Sequence, residues 1–245
     1  MTRYSRRRRR NNGSGLVVAL VVLAIAGGYY LTQVAPPVAD AGGDSGSGSG
    51  SNTVPATISK ADARAALRDL ADLTIKGKSP LTGYDREGDF GEAWRDVDKN
   101  GCDTRNDILR RDLTVTSAEG SCKVYTGTLI SPYTNQTIDF QRGIDTSAEV
   151  QIDHVVALAN AWQTGAQQIS QGKRVKLAND PLNLFAVDGA SNQQKGAADA
   201  ATWLPASKAF RCTYVAHQVE VKRKYKLWVT KPEHNAIKRV LQKCD

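Results

Sequence analysis

Histidine is scarce in this sequence, at three residues in 245, and methionine occurs once. The four cysteines never stand as C-x-x-C or C-x-x-H, so the usual ligand spacings of a structural zinc site are missing. There is no internal repeat, which excludes a repeat array. Residues 1–15 contain no acid, and no charge of either sign occurs between Arg10 and Asp40. The length leaves room for one domain with a sizeable core.

What charge there is lies unevenly. The formal net charge is +8, from 33 basic and 25 acidic side chains. Six of the basic ones are arginines within residues 1–15, so the rest of the chain is almost balanced. Within that remainder, residues 16–170 are net acidic and residues 171–245 net basic, at 14 basic to 6 acidic side chains. The C-terminal third is therefore the electropositive part of the body, through Lys208, Arg211, Lys222, Arg223, Lys224, Lys226, Lys231, Lys238, Arg239 and Lys243. That is the footprint expected of a polyanion binder, although charged helix faces are more often simply solvated.

The arginine block Arg6–Arg10 precedes an apolar run from Leu16 to Leu31. This pattern predicts a signal anchor over residues 16–35, with the basic head (1–15) held in the cytoplasm and everything beyond about residue 35 exported. Ala39-Asp40-Ala41 has the form of a signal-peptide cleavage site, so secretion after cleavage near Ala41 is the alternative. Residues 36–57, with Pro36-Pro37 and a Gly/Ser run, read as a flexible linker. Residues 58–245 are the expected folded domain. In an exported body four cysteines admit three pairings; Cys102–Cys122 and Cys212–Cys244, each closing a local loop, are expected.

Within the body, Ser59 and Asp62 cap a helix of apolar positions Ala63, Ala66, Leu67, Leu70 and Leu73, ending near Gly77. Residues 79–121 are polar and turn-rich, with one short helix at 106–112. Residues 123–130 and 137–140 flank a turn and predict a hairpin. Residues 150–156 alternate as a strand does, 158–168 predict a helix, and 183–187 a second short strand. One or two helical turns at 190–199, a basic helix at 207–225 and a last helix after the capping box Thr230–Glu233 complete an α+β body. His217 and His234 fall on helix surfaces and are expected to be solvated.

The remaining histidine, His154, follows Asp153 at the end of the first of these strands. Asn183 opens the second strand, and Asn192 follows nine residues later on the next helical segment. Asp-His, Asn and Asn in a strand, strand, helix context resemble an HNH (ββα-metal) nuclease, position by position. The wider setting is Gly101-Cys-Asp-Thr-Arg-Asn-Asp-Ile-Leu109, Gln151-Ile-Asp-His-Val-Val-Ala-Leu158, Asn179-Asp-Pro-Leu-Asn-Leu184 and Trp203-Leu-Pro205. It is similar to exported HNH proteins related to the C-terminal domain of GmrSD-type restriction endonucleases. The resemblance covers roughly residues 60–245.

It implies an HNH ββα-metal core with an added N-terminal helix and hairpin and C-terminal helices. It also implies that His154 is the general base, that Asp153 and Asn192 ligate one divalent ion, and that Asn183 braces the loop carrying His154. Lys195 would meet a phosphate oxygen, with Arg105 as a further candidate. Two oxygen ligands suit Mg²⁺ or Mn²⁺. Some members of the HNH group carry His where Asn192 stands here, and Asn tilts the choice toward Mg²⁺. The activity implied is hydrolysis of DNA or RNA with little sequence preference. The alternative is a non-catalytic surface module that binds nucleic acid or an anionic wall polymer.

Asp96, Asp98, Asn100 and Asp107 stand at calcium-loop spacing, with Gly101 at the turn position. No clear helix enters this loop, and a polar turn held by side-chain hydrogen bonds accounts for the same residues.

Overall fold

The computed structural model describes residues 57–244. The expected basic head, the anchor and the linker up to residue 56 lie outside the described residues. Among the described residues no helix is long and apolar enough to cross a membrane.

Helix α1 (Lys60–Asp72) starts where Ser59 and Asp62 cap each other's backbone amides, and its face of Ala63, Ala66 and Leu70 is buried. Helix α8 (Lys231–Leu241) repeats the device with Thr230 and Glu233, with Pro232 in the first turn. Both pack on α7 (Arg211–Lys224) around a cluster that includes Leu70, Tyr214, Val219 and Ile237.

Three strands, β1 (Thr114–Glu119), β2 (Lys123–Ile130) and β3 (Thr137–Gln141), form an antiparallel sheet in that order. Helix α3 (Thr104–Asp112) buries Ile108 and Leu109 beside it. Strands β4 (Val150–His154) and β5 (Leu184–Asp188) form a separate antiparallel pair in which Asp153 faces Phe185 and His154 faces Leu184. Helix α6 (Gly189–Lys195) follows β5 directly. Its first residue must be small, because a Cβ at Gly189 would run into the carbonyl oxygen of Ala148. Between β4 and β5 lie α4 (Leu158–Gln163), a 3₁₀ turn, α5 (Gln171–Ala178) and a second 3₁₀ turn (Pro181–Asn183). With α2 (Arg86–Phe90) they close a second core around Phe90, Trp162 and Leu177.

The fold is thus mixed α+β, with two small sheets and several helices. Both expected disulfides are formed. Cys102–Cys122 ties the approach to α3 to the β1–β2 turn, and Cys212–Cys244 ties α7 to the end of the chain, with Cα separations of 5.1 and 6.0 Å.

Three readings of the sequence need correction. Strand β1 lies in a stretch read as turns; five of its six residues are exposed, so no apolar alternation announces it. Helix α5 was not anticipated. His217 is not a solvated surface residue: its Nδ1–H donates to the Leu182 carbonyl at 3.2 Å, and its ring stands edge-on to Phe185 at 5.0 Å.

Candidate active site

Strand β4 delivers Asp153 and His154 to its end, and Asn183 fixes what comes next. The Val155 amide donates to the Asn183 carbonyl and the Val156 amide to Asn183 Oδ1, both at 2.8 Å. Asn183 Nδ2 donates in turn to the carbonyls of Val156 and Leu177, both at 3.3 Å. Asn183 is wholly buried, and every hydrogen-bonding atom of its amide is used within the two segments it joins.

His154 is 7% exposed, and its Nε2 lies 2.8 Å from the carbonyl of Ala178. A carbonyl can only accept, so Nε2 carries the proton and Nδ1 keeps a free lone pair. Burial presses the imidazole pKa down to about 3; the charges of Arg86 and Lys195 act in the same direction, while the bond to Ala178 opposes them. The ring is therefore neutral at ordinary pH. Trp94 stacks over it, with centroids 6.2 Å apart and planes 14° from parallel. Trp94 does so from a left-handed backbone, φ 61°, a strained conformation for a bulky residue and one that clusters at functional sites.

Asp153 is 5% exposed. Its Oδ2 accepts from the Tyr133 hydroxyl at 2.5 Å and its Oδ1 from Lys195 Nζ at 3.0 Å. Burial raises the Asp153 pKa against the pull of these two donors. Lys195 Nζ also donates to the His154 carbonyl at 2.8 Å. Asn192, one turn before Lys195 on α6, donates from Nδ2 to Gln151 Oε1 at 2.8 Å, which leaves Oδ1 as the atom it can offer a ligand. Asp153, His154 and Asn192 all line one open cavity of about 290 Å³, together with Arg86 and Tyr84. A smaller one, about 30 Å³, lies beside His154 and is walled by Trp94 and Arg86.

Two of the expected phosphate contacts are placed differently. The Lys195 side chain has no exposure and points inward at Asp153, where it neutralises a buried carboxylate. Arg105 lies outside the cavity wall and spends Nη2 on the carbonyls of Val150 and Ser147, at 3.0 and 3.4 Å. The basic C-terminal third is also less available than its composition suggests. Lys222 is buried against Glu233 at 2.9 Å, Arg223 pairs with Asp69, Lys224 with Asp180, and Arg211 donates to the Pro205 carbonyl. Lys208, Lys226, Lys231, Lys238, Arg239 and Lys243 remain exposed.

Residues 103–240 match the family described as GmrSD restriction endonucleases, C-terminal domain. The chain belongs to this family. An uncharacterized secreted protein of Arthroderma benhamiae is 36% identical over 177 residues, which is 71% of this chain and 82% of that protein. No solved structure matches. The GmrSD C-terminal match takes in Asp153, His154, Asn183 and Asn192, and leaves Arg86 and Trp94 outside it.

Tyr133, Arg86 and Trp94 are the site residues that the sequence did not single out. Tyr133 sits in the β2–β3 turn and reads there as a turn residue; only the fold brings its hydroxyl to Asp153. The polar loop at Asp96 closes on itself. Asp96 accepts from the amides of Lys99 and Gly101, Asp98 from the Asn100 amide, and Asn100 Nδ2 donates to Asp107. These are the hydrogen bonds of a polar turn. Among the described residues no three His, Cys, Asp or Glu side chains converge as a metal site.

Proposed function

We propose that residues 58–245 are an HNH-type, metal-dependent endonuclease that hydrolyses phosphodiester bonds of DNA or RNA with little sequence preference. In this reading β4, β5 and α6 are the ββα-metal unit, and the domain is exported and tethered by residues 16–35. The carrying observation is the tautomer of His154: Nε2–H is committed to Ala178, so Nδ1 is left as a proton acceptor on a residue that shares its cavity with Asp153 and Asn192.

The donor set fits a hard divalent cation. The Asp153 carboxylate accepts from Tyr133, from Lys195 and from the His154 backbone amide, three donors for four lone pairs, and Asn192 offers Oδ1. Mg²⁺, with Mn²⁺ as substitute, would be held by these two side chains, with water and substrate phosphate completing its shell. When bound, it supplies charge compensation for the phosphoryl oxygens and the leaving oxygen.

The protein's own part is to place and tune the base. Asn183 holds the Val155–Val156 backbone, Ala178 and Trp94 hold the ring, and His154 Nδ1 takes the proton from the attacking water. A base with a pKa of about 3 is too weak for this as it stands. A phosphate anion beside the ring favours the imidazolium and so acts against the burial that weakens the base.

The test is plasmid nicking by the purified, oxidised protein with Mg²⁺, Mn²⁺ or EDTA. Metal-dependent nicking by the wild type, reduced about 10²–10⁴-fold in His154→Ala, is expected. A folded wild type that leaves DNA and RNA intact with either metal would sink the proposal and favour a non-catalytic binding module.

A further inference from the structure

Phosphodiester hydrolysis needs a positive group facing the phosphate, and the two expected candidates are committed elsewhere, Lys195 to Asp153 and Arg105 to backbone carbonyls. Arg86 is placed differently. It begins α2, its side chain is exposed, and it lines both the cavity of about 290 Å³ and the smaller one on the Trp94 side. His154 forms a wall of each. No ion pair among the described residues claims Arg86; its hydrogen-bonding neighbour is the Tyr84 phenol, which lines the larger cavity beside it.

We propose that Arg86 is the substrate-binding cation of this site and grips the polynucleotide backbone at the phosphate beside His154, an inference that rests on the nuclease reading. The guanidinium presents a planar fork of donors that matches two phosphate oxygens, with a charge that does not titrate. A contact of this kind holds the phosphate backbone and carries no sequence information of its own.

The test separates binding from cleavage. The full chain is titrated in EDTA into a short fluorescein-labelled single-stranded DNA, followed by anisotropy, for wild type, Arg86→Met, Arg86→Lys and Arg68→Met. Arg68 is an exposed residue of α1 that lines neither cavity and controls for the lost charge. Arg86→Met should weaken binding about tenfold and flatten the slope of log K against log salt by about 0.7. Arg86→Lys should fall between, having the charge without the fork, and Arg68→Met should follow the wild type. Because Arg86 is exposed, all four proteins should melt together. If Arg86→Met binds as Arg68→Met does while the wild type still nicks plasmid, the role of Arg86 is refuted and the nuclease stands. If the wild type binds no nucleic acid, Arg86 has no such role; if it also fails to nick, the nuclease reading falls with it.

Discussion

Lys195 reaches from the last turn of α6 to Asp153 on β4 and closes an ion pair of 3.0 Å, with no exposure of the lysine side chain and 6% of that of the aspartate. A second contact, to the His154 carbonyl, makes the ammonium a cross-link between the helix and the strand end. Removing one partner strands a buried charge, which costs about 3–5 kcal/mol, whereas removing both leaves a packing change. Lys195→Met should therefore lower unfolding stability by about that much in urea titrations without metal. The double variant with Asp153→Leu should recover most of the loss. Equal destabilisation by both would mean that the pair contributes by volume alone.

Asn183→Ala exposes no surface but leaves the Val156 amide and the carbonyls of Val156 and Leu177 without their partners. A loss of about 2–3 kcal/mol is expected. Nicking should suffer beyond the loss of folded protein, because His154 stands one residue before the clamped segment. Comparing nicking rates at a temperature where both proteins are fully folded separates the two effects.

Burial holds both His154 and His217 below their ordinary value, His154 at about 3. In the unfolded chain they protonate near pH 6.5, so below that pH the unfolded state binds more protons than the native one. Stability should consequently be full above pH 6.5 and fall as pH drops, with His154 contributing until about pH 3. Each such histidine costs about 1.4 kcal/mol per pH unit within its window. His217→Gln should make the decline measured between pH 6.5 and 5 shallower; an unchanged slope would show that His217 titrates freely in the fold.

Gly189→Ala places a methyl group against the Ala148 carbonyl, at the point where β5 turns into α6. Backbone must move to admit it, and the helix that moves carries Asn192 and Lys195. A stability loss of about 1–3 kcal/mol is expected, as for overpacking elsewhere. A larger Mn²⁺ concentration for half-maximal nicking should accompany it. Unchanged metal dependence would show that α6 absorbs the shift without moving Asn192.

Features governed by local chemistry were legible in the sequence. Ser59 with Asp62 and Thr230 with Glu233 announce their helices because a capping box is a contact between residues three apart. The β2–β3 hairpin and the two cysteine pairs were readable for the same reason. Asp153, His154 and Asn192 could be grouped through a resemblance, and the fold places all three on one cavity. The partners of the charged groups were not legible. Lys195 and Arg105 look like any solvated cation in sequence, yet each is turned inward by a carboxylate or carbonyl more than 40 residues away, and Lys222 is buried against Glu233 of the next helix. Arg86, at the start of α2, and Trp94, in the loop after it, come to His154 from more than 50 residues away, and nothing in their neighbours' periodicity marks them. Helix α7 was hard to bound because it is covered on several sides, with Tyr214, Gln218, Val219 and Lys222 all buried.

Cys244 follows α8 and is bonded to Cys212 at the start of α7, the helix on which α8 packs. The two helices are thus fastened twice, by their buried apolar faces and by a covalent staple at the exit of α8. Loosening the apolar contact alone leaves α8 hinged in place, and reduction of that one bond is what frees it to peel away.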